Sequence, residues 1–225
     1  MRLAKAAIDV GIYTDQRETM LAFWQQTVGL PFDELLPVGG GVQQHRHRIG
    51  DSILKINHSR ERVPDQGQSG YRELVIALEQ QKTPRSLVDP DGNRVTLVPV
   101  DHDGVQQIEV RLVVRDAAAQ AHFYEHVLQL PREDERRFRC GASLVSFEQN
   151  VRAATDPEMR ARGYRYTTIQ VHDVVTEHRG VLGRGGREGR APVRLGEVAY
   201  ISFVRDPDGN WIEISQRRSL TGSLD

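Results

Sequence analysis

The sequence predicts an α+β chain built from four repeated units, the second one shortened. Three observations predict it: a repeat at an offset of 100 residues, a second repeat between two marker segments, and an Asp-Pro-Asp-Gly-Asn turn that occurs twice. Sliding the sequence by 100 positions lays Ile8-Asp9-Val10-Gly11-Ile12 on Ile108-Glu109-Val110-Arg111-Leu112. It also lays Phe23-Trp24 on Phe123-Tyr124 and Gly29-Leu30-Pro31 on Gln129-Leu130-Pro131. The matches preserve apolar positions, as a repeated core requires. Gly70-Tyr71-Arg72 recurs as Gly163-Tyr164-Arg165 at an offset of 93, and Asp89–Asn93 recurs as Asp206–Asn210 at an offset of 117. The difference of 24 residues means that the earlier copy lacks a segment.

The elements follow in order. Ile8, Val10 and Ile12 alternate with Ala7, Asp9 and Gly11, the period of a half-buried strand. Met20, Leu21, Phe23, Trp24 and Val28 recur at helical spacing. Gly29 permits a left-handed cap there, and Pro31 cannot continue the helix. Strands follow at Val42–Ile49 and Ser52–Asn57, around a Gly50-Asp51 turn. Ser59–Ser69 reads as a surface linker. Tyr71–Glu79 reads as a strand, and Gln80–Pro84 then runs straight to the first turn, too short for a packed helix. The polar stretch within Pro99–Gln106 predicts a joint, with 101–106 linking a first domain, 1–100, to a second, 107–225. In the second copy Asp116 is a plausible N-cap before Ala117. Strands Arg136–Cys140 and Ser143–Glu148 follow, then a linker at Gln149–Arg162. The last unit reads as a strand at Tyr166–Val171, a helix near Val174–Leu182, a Gly/Arg-rich loop, and strands Val198–Arg205 and Trp211–Ser215. The turn between these two strands has a mechanism: Pro207 presets one dihedral and Gly209 takes the positive φ.

Composition narrows the function. Lysine plus arginine number 30 against 31 acidic residues, a net charge of -1. That balance argues against electrostatically driven nucleic-acid or membrane binding and leaves a small molecule as the expected partner, with a homodimer allowed for. The single cysteine, Cys140, excludes an internal disulfide framework and a cysteine-clustered zinc site. It fits a reducing compartment, and Asp9 and Asp15 interrupt any signal-peptide core, so a cytoplasmic location is expected. No apolar run reaches the roughly 20 residues of a membrane span. No Gly-rich phosphate loop follows a strand, so no nucleotide cofactor is expected.

Three segments carry a resemblance: Ala22-Phe23-Trp24 with Val28-Gly29-Leu30, His122-Phe123-Tyr124 with Val127–Leu130, and above all Phe203–Glu213 with its turn. Over nearly the whole chain the sequence resembles the vicinal oxygen chelate superfamily, which includes glyoxalase I, extradiol dioxygenases, methylmalonyl-CoA epimerase, and fosfomycin and bleomycin resistance proteins. The resemblance implies βαβββ units whose curved mixed sheets enclose a cavity. It also implies metal ligands facing inward from the first and last strands. Carried over, the first-strand position falls on Asp9, Glu73, Glu109 and Tyr166, and the last-strand position on Lys55, Thr96, Ser146 and Glu213. Glu213 matches the terminal glutamate ligand, and Glu109 stands where histidine is usual.

None of the eight positions is a histidine. Fe(II) oxygenases want two histidines and a carboxylate, so extradiol ring cleavage is disfavoured. The resemblance leaves room for a divalent Mn, Ni, Zn, Mg or Fe ion held by Glu109 and Glu213, less so by Asp9 and Glu73, and equally for metal-free binding. Units adjacent in the chain are expected to share a cavity. The third and fourth would then enclose Glu109, Ser146, Tyr166 and Glu213, and the first and second Asp9, Lys55, Glu73 and Thr96. A first-with-fourth pairing would instead enclose Asp9, Lys55, Tyr166 and Glu213. The shortened second unit puts the expected functional pocket in the second half.

The expected catalytic residues are therefore Glu109, Glu213 and Tyr166, with Ser146, Thr168, Tyr200 and Trp211 lining the pocket. A buried carboxylate there could act as a base, and Tyr166 as a hydrogen-bond donor or acid. Lys55 reads most simply as a salt-bridge partner of Asp9 or Glu73. His45 and His47 share one strand face and could bind zinc, but their tract reads as a polar edge strand or exposed hairpin. His122 and His126 read as a solvated helix face, and Cys140 as a structural thiol. The arginines from Arg184 to Arg190 read as a solvated loop, with closure over an anionic substrate as the alternative. The leading functional expectation is a metal-dependent lyase or isomerase of the glyoxalase type acting on a small oxygenated molecule. Its rivals are a metal-free protein that sequesters a small molecule and a silent dimer-forming scaffold.

Overall fold

The computed structural model describes residues 1–224. The first unit comprises β1 (Leu3–Thr14), α1 (Arg17–Ala22), β2 (Phe32–Gly39), β3 (Val42–Ile49) and β4 (Ser52–Ser59). The second has only strands: β5 (Tyr71–Ala77), β6 (Arg85–Val88) and β7 (Arg94–Val98). The third contains β8 (Ile108–Val114), α2 (Ala117–His122), β9 (Arg132–Asp134), β10 (Arg137–Cys140) and β11 (Ser143–Gln149). The fourth contains β12 (Gly163–Val171), α3 (Val174–Gly183), β13 (Arg187–Leu195), β14 (Ala199–Arg205) and β15 (Trp211–Arg217), followed by a single turn, α4 (Arg218–Thr221). This is the α+β fold of repeated units that the sequence predicts, with the helix of the second unit missing.

Local chemistry explains the repeats. α1 and α2 each widen into a π-helical turn at the same place, Phe23–Thr27 and Phe123–Val127. Both end on a left-handed residue, Gly29 at φ 85° and Gln129 at φ 57°. Asp116 caps α2 by accepting from the Ala118 and Ala119 amides at 2.9 and 3.0 Å. In the Asp-Pro-Asp-Gly-Asn turn the Asp206 carboxylate accepts from the Asn210 amide and side chain, both at 2.8 Å, and from Gln120 at 2.7 Å. Asp89 and Asn93 repeat the first two bonds at 2.8 and 2.7 Å. Both turns put their glycine, Gly92 or Gly209, at φ 84°.

The strands form two curved mixed sheets. The first runs β13-β14-β15-β12-β1-β4-β3-β2 and the second β6-β7-β5-β8-β11-β10-β9. Unit one therefore pairs with unit four through antiparallel β1 and β12, and unit two with unit three through antiparallel β5 and β8. The expectation that the third and fourth units share a cavity is corrected: the first-with-fourth pairing holds. Segment 101–106 separates units two and three along the chain but not in the sheet. The faces turned away from the cavities, together with the helices, form one core that includes Trp24, Ile56, Leu74, Ile108 and Ile212.

Three local readings change as well. Arg187–Leu195, expected as loop, is the edge strand β13, and Phe32–Gly39, for which no element was expected, is the opposite edge, β2. His45 and His47 are not exposed: they are buried on the helix side of β3, where His47 lies 3.0 Å from Gln25. Burial, then the neighbouring His45, pushes the His47 imidazole down to about 4. No helix among the described residues is long and apolar enough to cross a membrane.

Candidate functional site

The first sheet curls around a cavity of about 570 Å³. Its floor is set by strand register. Lys55 on β4 lies beside Gly11 on β1, Gly11 beside Tyr166 on β12, and Thr168 on β12 beside Glu213 on β15. Alternation sends all these side chains to one face. Gly11 is required here, because a Cβ would come within 2.1 Å of the Tyr166 ring. The ring thus lies flat over the β1 backbone, and its hydroxyl accepts from Asn57 at 3.1 Å.

Lys55 Nζ donates to Thr168 Oγ1 and to Glu213 Oε2, each at 2.6 Å, and Thr168 Oγ1 donates to the same carboxylate oxygen at 2.6 Å. The ammonium is also 5.5 Å from the centre of the Tyr166 ring. Burial lowers the Lys55 pKa and Arg46 adds to the effect, outweighing the opposite pull of Glu213 and Asp9. Burial works to raise the Asp9 carboxyl, but Lys5 and Lys55 outweigh it and hold the pKa below the ordinary value. Tyr166 is pushed well above its ordinary value by burial and by Glu213, and so stays a neutral phenol.

Above the floor the wall is apolar and aromatic, with Tyr13, Met159, Ile201 and Phe203. Five basic side chains line the cavity, Arg46, Lys55, Arg160, Arg190 and Arg217, against one carboxylate, Glu213. Arg46 and Arg217 share Glu34 on β2 at 3.0 and 2.8 Å, a bridge that ties β15 to the far edge of the curled sheet. Such a cavity favours an anion with an apolar body.

The second sheet holds a cavity of about 460 Å³ with a different floor. Glu109 is gripped by Arg111 and Arg137, each at 3.0 Å. Glu73 accepts from Thr96 at 2.7 Å and meets Arg111 at 3.3 Å. Its lining carries five arginines and five carboxylates, so it has no net attraction for an anion.

The residues do not fit the divalent ion that the resemblance implies. Glu109 and Glu213 lie in separate sheets and cannot share an ion. The Glu109 oxygens are occupied by guanidinium groups, and a dication beside Glu213 would meet the Lys55 ammonium 2.6 Å from the same oxygen. Asp9 accepts from the Ile53 amide at 2.9 Å, from Gln170 at 3.1 Å and from Lys5. Among the described residues no three His, Cys, Asp or Glu side chains converge as a ligand set.

The structure brings Asp9, Tyr166, Thr168 and Glu213 to one floor, and Glu73, Glu109 and Ser146 to the other cavity. Tyr200 is corrected: its neighbours Ala199 and Ile201 face the cavity, and its own ring packs on the other side against the main core, with Arg194 over it. Trp211 flanks the cavity wall rather than its space, with Arg205 over its ring at 3.7 Å and its indole donating to the Pro157 carbonyl at 2.7 Å. That contact pins the segment read as a surface linker, which brings Met159 and Arg160 to the cavity. Arg160 falls in the stretch read as a linker and carries no pattern in the sequence, whereas Arg190 ends the arginine-rich stretch whose alternative reading is closure over an anionic substrate. His122 and His126 are exposed, and burial raises the Cys140 thiol to about 12, as befits an inert core thiol.

A family model described as the glyoxalase/bleomycin resistance protein/dioxygenase superfamily matches residues 104–214. The matched stretch, which contains α2, the second turn and Glu213, is similar to this superfamily. Solved structures of similar fold extend the likeness to both halves. Glyoxalase I from Zea mays is 14% identical, with a TM-score of 0.73 over 96% of this chain and 92% of that one. A provisionally assigned dioxygenase from Bacillus subtilis is 13% identical, with a TM-score of 0.70 over 96% of this chain and 86% of that one. The cppA protein from Streptococcus pneumoniae is 9% identical, with a TM-score of 0.61 over 94% of this chain and 98% of that one. At such identities the likeness is one of fold. No curated protein matches the sequence.

Proposed function

We propose that this protein binds small oxygenated organic anions in the first cavity, using its own cations in place of a protein-held divalent ion. One observation carries the reading: Lys55, Thr168 and Glu213 form a closed hydrogen-bonded triangle at the floor of a cavity lined by five basic side chains. An ammonium at that position can polarise a ligand oxygen, as a metal would, without needing a ligand set. The arginines supply charge-assisted hydrogen bonds to a carboxylate, and Tyr13 and Phe203 supply flat apolar contact.

A second reading places lyase or isomerase chemistry on the same floor. The triangle favours it, because Glu213 can pass a proton through Thr168 or Lys55 to a bound ligand. Deuterium exchange at the carbon beside the ligand carbonyl tests this, with Glu213→Gln as the control.

Calorimetry and thermal shift with substituted benzoates test the binding reading. Benzoates are expected to bind and to raise the melting temperature, while the matching benzamides do neither. Added Mn²⁺, Ni²⁺, Zn²⁺ or Mg²⁺ is expected to change neither result. A stoichiometric divalent ion that disappears in Glu213→Gln would overturn the reading, as would indifference to every anion.

A further inference from the structure

The chain has three lysines, Lys5, Lys55 and Lys82, against 27 arginines. Nearly every cation is an arginine, yet the one on the cavity floor is a lysine with its side chain only 3% exposed. For holding a carboxylate an arginine serves better, since its planar fork gives two parallel bonds. What a lysine adds is an amine that can become a nucleophile when desolvated beside another cation. Lys55 meets those conditions. It is buried, it lines the cavity, and Arg46 is its cross-strand neighbour on β3.

Resting on the anion-binding reading above, we infer that Lys55 captures the carbonyl carbon of a bound aromatic aldehyde or ketone that carries its carboxylate at the far end. The geometry sets that ligand class. Arg160 and Tyr13 line the cavity together, the Tyr13 ring is 6.4 Å from the Tyr166 ring, and the Lys55 ammonium is 5.5 Å from the centre of the Tyr166 ring. The route from cation to amine is therefore aromatic along its length. A ligand lying along it would place its anion at Arg160 and its carbonyl at Lys55.

The step balances with the groups present. The Lys55 ammonium gives a proton to Glu213, 2.6 Å away, and the freed amine attacks the carbonyl carbon. A C–N bond forms and the carbonyl oxygen becomes the hydroxyl of a carbinolamine, taking a proton from the nitrogen. Glu213 returns its proton to that hydroxyl, the C–O bond breaks, and water leaves. Ammonium and carbonyl are thus converted to iminium and water, with no oxidant or reductant consumed. Thr168, bonded to both partners, holds the amine and the carboxylate in line.

The test uses the full chain with 4-carboxybenzaldehyde and cyanoborohydride, which reduces an iminium to a stable amine, followed by intact mass and peptide mapping. The expected result is one saturable adduct at Lys55, formed at least about tenfold faster than at the exposed-chain reference Lys82, as a desolvated amine should react. The alcohol 4-(hydroxymethyl)benzoate, which has no carbonyl, is expected to compete and to leave no adduct. Lys55→Arg is expected to lose the adduct. Mapping of the unaltered chain decides the matter even if that variant does not fold. If the alcohol binds but Lys55 is labelled no faster than Lys82, the inference is overturned and the anion-binding reading stands. If neither compound binds, the anion-binding reading falls and the inference falls with it.

Discussion

Lys55 Nζ lies 2.6 Å from Glu213 Oε2, and this contact joins residues 158 positions apart in the chain. It links the last strand of unit one to the last strand of unit four across the curled sheet. Both side chains are buried, at 3% and 10% exposure. Burying a charge without its partner is costly, whereas a neutral pair of similar shape is tolerated. Lys55→Met alone is therefore expected to cost about 3–5 kcal/mol, and Lys55→Met with Glu213→Gln to recover most of that loss. Urea denaturation midpoints of the two single variants and the double variant check this. Additive losses would show that the pair is not coupled.

Gly11 gives the second prediction. A methyl group there would meet the Tyr166 ring at 2.1 Å, and the ring is boxed in by Asn57, Gln44 and Phe203. Gly11→Ala is expected to cost about 1–3 kcal/mol, as overpacking does, and to weaken benzoate binding. Gly29→Ala makes a control, because it adds only left-handed strain of roughly 1–2 kcal/mol at a position with nothing within 4 Å. It should lower the denaturation midpoint and leave binding unchanged.

The Asp206 turn makes stability respond to pH. Burial raises this carboxyl from 3.8 to about 6, against the opposing bonds from Asn210 and Gln120. A raised folded-state pKa means that the folded protein holds a proton more tightly than the unfolded chain. The contribution is thus fully present below pH 3.8 and is lost as pH rises through about 6. Relative to Asp206→Asn, the unaltered protein is expected to lose up to about 3 kcal/mol between those limits. Denaturation midpoints across the range would check the sign; a difference independent of pH would refute it.

Arg190 sits on the edge strand β13 and lines the cavity without joining the floor. Arg190→Ala is expected to weaken benzoate binding about tenfold or more, the worth of a charge-assisted hydrogen bond, and to leave the urea midpoint within about 0.5 kcal/mol. Calorimetry at low and high salt would check it. An unchanged affinity would remove Arg190 from the site.

Much of the fold could be read directly from side-chain periodicity. The limits of β3, α3 and β14 fall within a residue of those read from alternation and caps, because each is a local property of the chain. The missing helix of unit two was equally local. Sheet pairing was not. β1 and β12 choose each other through register and shape, Gly11 beneath Tyr166, and no spacing in the sequence records that choice. Glu109, on the first strand of unit three, and Glu213, on the last strand of unit four, read as partners because the two units are adjacent in the chain, but adjacent units three and four fall in different sheets. Arg160 reaches the cavity from an irregular segment, and β13 carries Gly189 and Pro192 among arginines, so neither showed a period to read. Tyr200 was assigned to the wrong face of β14, a one-residue error that alternation turns into a reversal.

The pairing of unit one with unit four also sets a schedule for a chain growing on the ribosome. Units two and three are consecutive, so β5 and β8 can meet while synthesis continues. β1 must keep an open edge until β12 emerges, about 150 residues later, and non-local closure of that kind is slow. The cavity floor waits longer still, since Glu213 arrives with the last strand. A nascent chain therefore carries the exposed hydrogen-bonding edge of β1 until β12 emerges, even after β11 has completed the second sheet, and it is in that interval that the protein is most open to mispairing with a neighbour.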